Sequence, residues 1–157
     1  MTAIAVSEGW AEGPLRAFVD DARVQLALVL YTSGQVLGQH GFAKRMDVMS
    51  ACALAAATHA SASELGRQLE GKPFNGMHYA GKQKQIFLGH VETRRGPFLL
   101  FTVFDETASL GLVQLYFCEF RARMAEASPE PVGETTPLNE HFEGELNRNL
   151  SALFGRS

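Results

Sequence analysis

The sequence predicts an α+β chain in which one antiparallel sheet carries helices on its faces. Three observations predict it. Strand-like runs come as a pair and then as a trio, with helical runs before, between and after them. The helical runs do not alternate one for one with the strands, as a doubly wound parallel sheet requires. The 157 residues match one domain with a short tail, and a chain of this size buries roughly 68–70% of its extended surface.

Gly13-Pro14 opens the first helix, since a proline in the first turn gives up no hydrogen bond that a helix needs. Leu15, Phe18, Val19 and Ala22 form its apolar stripe, which ends near Arg23. Residues 24–31 (VQLALVLY) are almost unbroken apolar, as in a strand covered on both faces. Residues 32–35 make a tight turn at Gly34, and 35–40 return as the second strand. Residues 46–69 form a long helix without proline, with Asp47 at its positive end and Gly71 and Pro73 at its stop. Three strands follow over 74–80, 84–92 and 98–104, joined by turns at Gly81-Lys82 and Arg94-Arg95-Gly96-Pro97. In the middle one, Ile86, Leu88 and His90 face one way and Phe87 and Val91 the other. Ser109 caps a last core helix that runs to about Glu126, with Val113, Phe117, Phe120 and Met124 on its inner stripe. ASPEPVGETT then reads as a linker. Beyond it Leu138, Phe142, Leu146, Leu150 and Phe154 mark an amphipathic helix. The expected division is a dimerising domain over 1–126, a flexible linker over 127–137 and a C-terminal helix over 138–157.

Chemistry is sparse. The net charge of −3 argues against a general nucleic-acid binder, which needs a basic face. No run reaches the ~18–20 apolar residues of a membrane span. The uncharged N-terminus lacks the basic flank of a secretory signal, so a cytoplasmic protein is expected. Cys52 and Cys118 form no CxxC and read as two small buried thiols. The five histidines, His40, His59, His78, His90 and His141, show no HxxxH or HExxH spacing. Cys52 and His59 stand two helical turns apart, about 10.5 Å along the axis, too far for a thiol and its base. No catalytic constellation, metal site or cofactor is expected.

Three features remain. Residues 50–63 (SACALAAATHASAS) are small except Leu54 and His59. Alanine favours helix, but small residues on several faces also allow close approach by the sheet on one side and a partner on the other. The run 74–80 (FNGMHYA) has no internal Lys, Asp, Glu or Pro, the residues that usually blunt an exposed sheet edge; Lys72 and Lys82 flank it. Arg94 and Arg95 sit at a hairpin tip, as a solvated turn or as a contact for an acidic partner or phosphate.

The passage Phe104-Asp105-Glu106-Thr107-Ala108-Ser109-Leu110-Gly111-Leu112-Val113 resembles the strand-to-helix passage of the MglB branch of the Roadblock (dynein light-chain) domain family. Residues 47–81, the hairpin at Ser33-Gly34-Gln35 and the Leu-Phe ending of the tail are similar too, so the resemblance covers most of the chain from Val24 onward. It implies an α/β sandwich with a five-stranded antiparallel sheet and helices on both faces. It implies a homodimer joined through Phe74, Gly76, Met77 and His78 and through Ala53 of the Ala-rich helix. It implies that a small Ras-like GTPase of the MglA type sits on the paired helices, at Ala56, Ala57, His59, Ala60, Ser63, Glu64 and Arg67. Glu64 departs from the family's small residue, and Pro14 makes the first helix look short. The implied activity is regulatory, in cell polarity and gliding motility: stimulation of GTP hydrolysis by reshaping the partner's switch loops, with no catalytic site of its own. The alternative is a Roadblock scaffold that holds a GTPase or another complex without changing its rate. The tail, through Phe142, Leu146, Leu150 and Phe154, docks on the partner or caps its own dimer.

Overall fold

The computed structural model describes residues 9–43 and 46–131. A short 3-10 turn (Gly9–Ala11) leads into α1 (Glu12–Ala22), and β1 (Leu26–Tyr31) and β2 (Val36–Gly41) form a hairpin. Helix α2 (Val48–Glu70) precedes a meander of β3 (Gly76–Ala80), β4 (Gln85–Thr93) and β5 (Gly96–Phe104), and α3 (Leu110–Ala127) closes the described fold. The five strands are antiparallel in the order β2-β1-β5-β4-β3. The fold is thus the expected α+β sandwich. The linker beyond Pro131 and the helix over 138–157 lie outside the described residues.

Local chemistry places each element. α1 begins before Pro14, which falls in the first turn, where its missing N–H leaves no gap. Arg23 ends α1 in the left-handed conformation (φ 62°), donating its N–H to Val19 O. Asp47 caps α2 by accepting from Ser50 N at 3.4 Å, and Gly71 terminates it. Ser109 caps α3 by accepting from Leu112 N at 3.1 Å. A bulge between Val29 and Leu30 gives β2 one extra residue, Leu37.

The strands at the sheet's centre are buried on both faces, so they read as continuous apolar runs. On one face Ala27, Val29, Leu100 and Phe104 meet α1 and α3, through Leu15, Phe18, Phe117, Phe120 and Met124. On the other Leu26, Leu28, Leu30, Leu88, Leu99 and Phe101 meet the small residues Cys52, Ala55 and Ala56 of α2. Thr102, fully buried, donates its hydroxyl to Leu26 O at 2.7 Å, so a polar group costs little here. Trp10, in the 3-10 turn, lies edge-on to Phe98 at 5.9 Å between ring centroids, so the core begins before the first helix.

Strand β3 begins at Gly76 rather than Phe74. Phe74 instead packs beside Gly66 of α2, where a Cβ would come within 2.5 Å of Phe74 N. Asn75 still accepts from His90 N at 2.7 Å, which carries the pairing one step beyond the strand. The cysteines differ from expectation. Cys52 is buried under α2, but Cys118 is exposed on α3, because it falls on the side of the helix opposite Phe117, Phe120 and Met124.

Candidate functional surface

Helix α2 turns Cys52, Ala55, Ala56, Ser63 and Gly66 inward. Their size lets the helix sit low on the sheet, and the β1–β2 turn meets it: a Cβ on Gly34 would stand in ordinary contact with Ala53 Cα, at 3.5 Å. The outward side carries two rows. One runs Met49, Ala53, Ala57, Ala60, Glu64, at the three- and four-residue steps that keep one face of a helix. The other runs Leu54, Leu65, Leu69. Met49 is 83% exposed, Leu54 67%, Leu65 54% and Leu69 72%. Exposed apolar side chains of this size, three of them along one side of the helix, make that side a candidate contact surface. Glu64 holds Arg67 at 3.0 Å, both exposed, and also accepts from Gln68 at 3.4 Å.

The expected partner residues therefore divide. Ala57, Ala60, Glu64 and Arg67 are exposed, and His59 is half-buried. Ala56 and Ser63 face the sheet of their own chain. His59, Ala60, Ser63 and Arg67 open onto a cavity of about 360 Å³, with Asn75, His90 and Glu92 across it. The His59 and His90 rings stack at 5.8 Å with 15° between their planes. His59 Nε2 lies 3.2 Å from Ser63 Oγ, and His90 Nε2 lies 2.7 Å from Glu92 Oε2. Burial, and then the charge of His90, hold His59 below the ordinary histidine range. His59 is thus a neutral hydrogen-bonding group at neutral pH. Among the described residues no cluster of three or more His, Cys, Asp or Glu is placed to hold a metal ion. Burial pushes the Cys52 thiol up, away from the reactive thiolate.

Strand β3 is an edge of the sheet. Met77, opposite Leu88, faces the α2 side, and Tyr79 on the same side is 61% exposed. His78 faces the other side, where its Nε2 lies 2.7 Å from Gln85 Oε1 and its ring stacks on Phe104 at 6.0 Å. Ala53, the expected helix contact, is exposed on α2. At the β4–β5 tip, Arg94 is tied back to the end of α3: its N–H donates to Ser128 Oγ at 3.1 Å and its guanidinium to Ser128 O at 3.3 Å. An ion pair with Glu130 at 3.5 Å completes the tie, so Arg94 secures a corner of the subunit. Phe142, Leu146, Leu150 and Phe154 lie outside the described residues. Among those described, no helix is long and apolar enough to cross a membrane.

Met49, Leu54, Leu65, Leu69 and Tyr79 escaped the sequence reading. Leu54, Leu65 and Leu69 sit at helical spacing, and nothing in spacing alone tells an outward apolar row from an inward one. The His59–His90 pair escaped because its members are 31 positions apart on different elements (90 − 59).

No protein-family model matches the sequence, and no curated protein sequence matches it. Solved structures do match. MglB of Myxococcus xanthus superimposes with a TM-score of 0.69 at 19% identity, over 76% of this chain and 95% of that one. Gliding protein MglB of Thermus thermophilus gives 0.68 at 24% identity, over 78% and 93%. A Roadblock/LC7 domain of Streptomyces avermitilis gives 0.57 at 15% identity, over 75% and 93%. The chain has the Roadblock/MglB fold. The likeness is one of backbone, since so few residues are shared.

Proposed function

We propose that this chain is a self-associating Roadblock-type regulator of a small Ras-like GTPase of the MglA type. The observation that carries the reading is the exposed double row on α2 together with an edge strand, β3, that contains no charged or proline blocker. Two copies join edge to edge through β3, at Gly76, Met77 and His78, with Phe74 beside the strand. They also join side by side through α2, which takes Leu54, Leu65 and Leu69 out of water. The small row of Ala53, Ala57 and Ala60 then forms a shallow floor on which a GTPase rests, with Glu64, Arg67 and His59 at its margin.

The mechanism is one of positioning. Intrinsic GTP hydrolysis is slow because the attacking water and the charge-stabilising groups are poorly held, and supplying the missing help is worth about 10³–10⁵ in rate. Arg94 is engaged with Ser128 and Glu130, which favours activation through the GTPase's own residues over a donated arginine. A scaffold without effect on rate is the second reading, favoured by Glu64, whose carboxylate narrows an otherwise small-residue floor. A purified MglA-type GTPase, assayed with and without this protein, tests both. Co-elution with faster hydrolysis is expected; co-elution at an unchanged rate selects the scaffold, and absence of co-elution rejects both.

A further inference from the structure

On the face opposite α2, the two helices leave part of the sheet uncovered. α1 packs on β1 and β2, and α3 packs on β4, while β3 extends beyond α3. The result is a groove along the side of α3. Its first part, about 350 Å³, has Gly76, His78 and Phe87 as floor and Gln114, Phe117 and Cys118 as wall. It continues past Arg121, Ala122 and Ala125 as a second hollow of about 450 Å³ that shares Asn75 and Cys118 with the first. The depth has a backbone cause. Gly89 and Gly76 pair opposite one another, and the Phe117 ring lies where a Gly89 side chain would be. Gly76, next to it, leaves the floor at the level of the main chain.

The wall of the groove continues onto an outward stripe of α3. Gly111, Leu115, Cys118, Ala122 and Ala125 are all exposed, at steps of four, three, four and three residues, the repeat of a helix-pairing seam. Most are small, so the seam admits large side chains from a neighbouring helix.

We propose that the residues following Pro131 fill this groove in cis, laying Leu138, Phe142, Leu146 and Leu150 against Cys118, Ala122 and Ala125. These four recur at every fourth position, large where α3 is small. The chain leaves α3 at the groove's end: Ala125 and Glu92 line that end, and Ser128 and Glu130 are fastened to Arg94 close by. Residues 132–137 span at most about 20 Å, enough to reverse direction. Wound as a helix, residues 138–154 would measure about 25 Å, against about 27 Å for the 18 residues of α3. A tether this short also supplies an effective concentration in the millimolar range, which a separate protein lacks. This docking does not rest on the GTPase reading, because the groove's wall is α3 and not α2; only its end, at Asn75, His90 and Glu92, borders the cavity beside His59.

The test uses the full chain and its two thiols. Cys118 lines the groove, while buried Cys52 serves as a slow internal reference. In Phe142→Asp/Leu146→Asp, labelling of Cys118 by a maleimide should accelerate about tenfold, the factor a ten-to-one docking equilibrium imposes. Labelling of Cys52 should not change. Separately, Phe142→Cys, Leu146→Cys and Leu150→Cys are oxidised one at a time at low micromolar concentration. A disulfide to Cys118 within one chain is expected in at least one of them. Unchanged Cys118 labelling overturns the proposal. So do disulfides formed only between chains, or none in any of the three variants.

Discussion

At the scale of single residues, the decisive positions are those where a side chain is missing. Gly89 is occupied from above by the Phe117 ring, so α3 reaches the sheet only because β4 has no Cβ there. Gly89→Ala should therefore lower stability by about 1–3 kcal/mol, the usual cost of forcing atoms into a packed core. Urea denaturation of the variant checks it, and an unchanged midpoint would mean that Phe117 has another rotamer at no cost. Gly66 lets the chain before β3 cross α2 in the same way. In sequence both read only as glycines in a strand and a helix. The neighbour that requires each one comes from another element.

At the scale of elements, α2 and β3 carry the proposed contact surface. The helix is long, capped by Asp47 at one end and Gly71 at the other, and those features were legible in the chain. Its inward side was legible in kind, because residues as small as Ala55 and Ala56 permit close approach to a sheet. Its outward side was not, since Leu54, Leu65 and Leu69 follow the same spacing that elsewhere marks a core face. The edge position of β3 followed from its place at the start of the meander, and its lack of blockers pointed to pairing across that edge. Introducing a blocker there is the direct probe. Tyr79→Lys places a charge on the exposed strand, and it should convert a dimer to a monomer by light scattering while leaving the far-UV circular dichroism unchanged. A dimer of undiminished stability would remove β3 from the interface.

At the scale of the whole molecule, half-buried His59 and buried Cys52 tie stability to pH. His59 has its pKa lowered in the folded state by burial and by His90, from an ordinary value of 6.5. Below about pH 6.5 the unfolded chain takes up that proton more readily than the folded one. Stability therefore falls as pH drops from about 6.5 toward the folded value. Cys52 is raised above its ordinary 9.0, so above about pH 9 the unfolded thiol ionises first and stability falls as pH rises. Thermal melts across this range should show a plateau between the two limbs. His59→Asn should flatten the acid limb and leave the alkaline one, and an acid limb of unaltered slope would assign it to other groups.

The chain by itself determined the order of helices and strands, the caps at Asp47 and Ser109 and the doubly buried central strands. Each depends on spacing, on a local hydrogen bond or on continuous apolarity, all of which a linear sequence displays. The FDETASLG passage pointed to the Roadblock/MglB fold that the backbone adopts. Only the tertiary structure decided which apolar rows remain outside, that Cys118 faces solvent, that His59 meets His90, and that a groove runs between α3 and β3. Those facts depend on how far a helix is rotated about its axis and on which distant element lies beside it. That rotation and that neighbour are fixed by packing across the whole sheet, so no local stretch of sequence contains them.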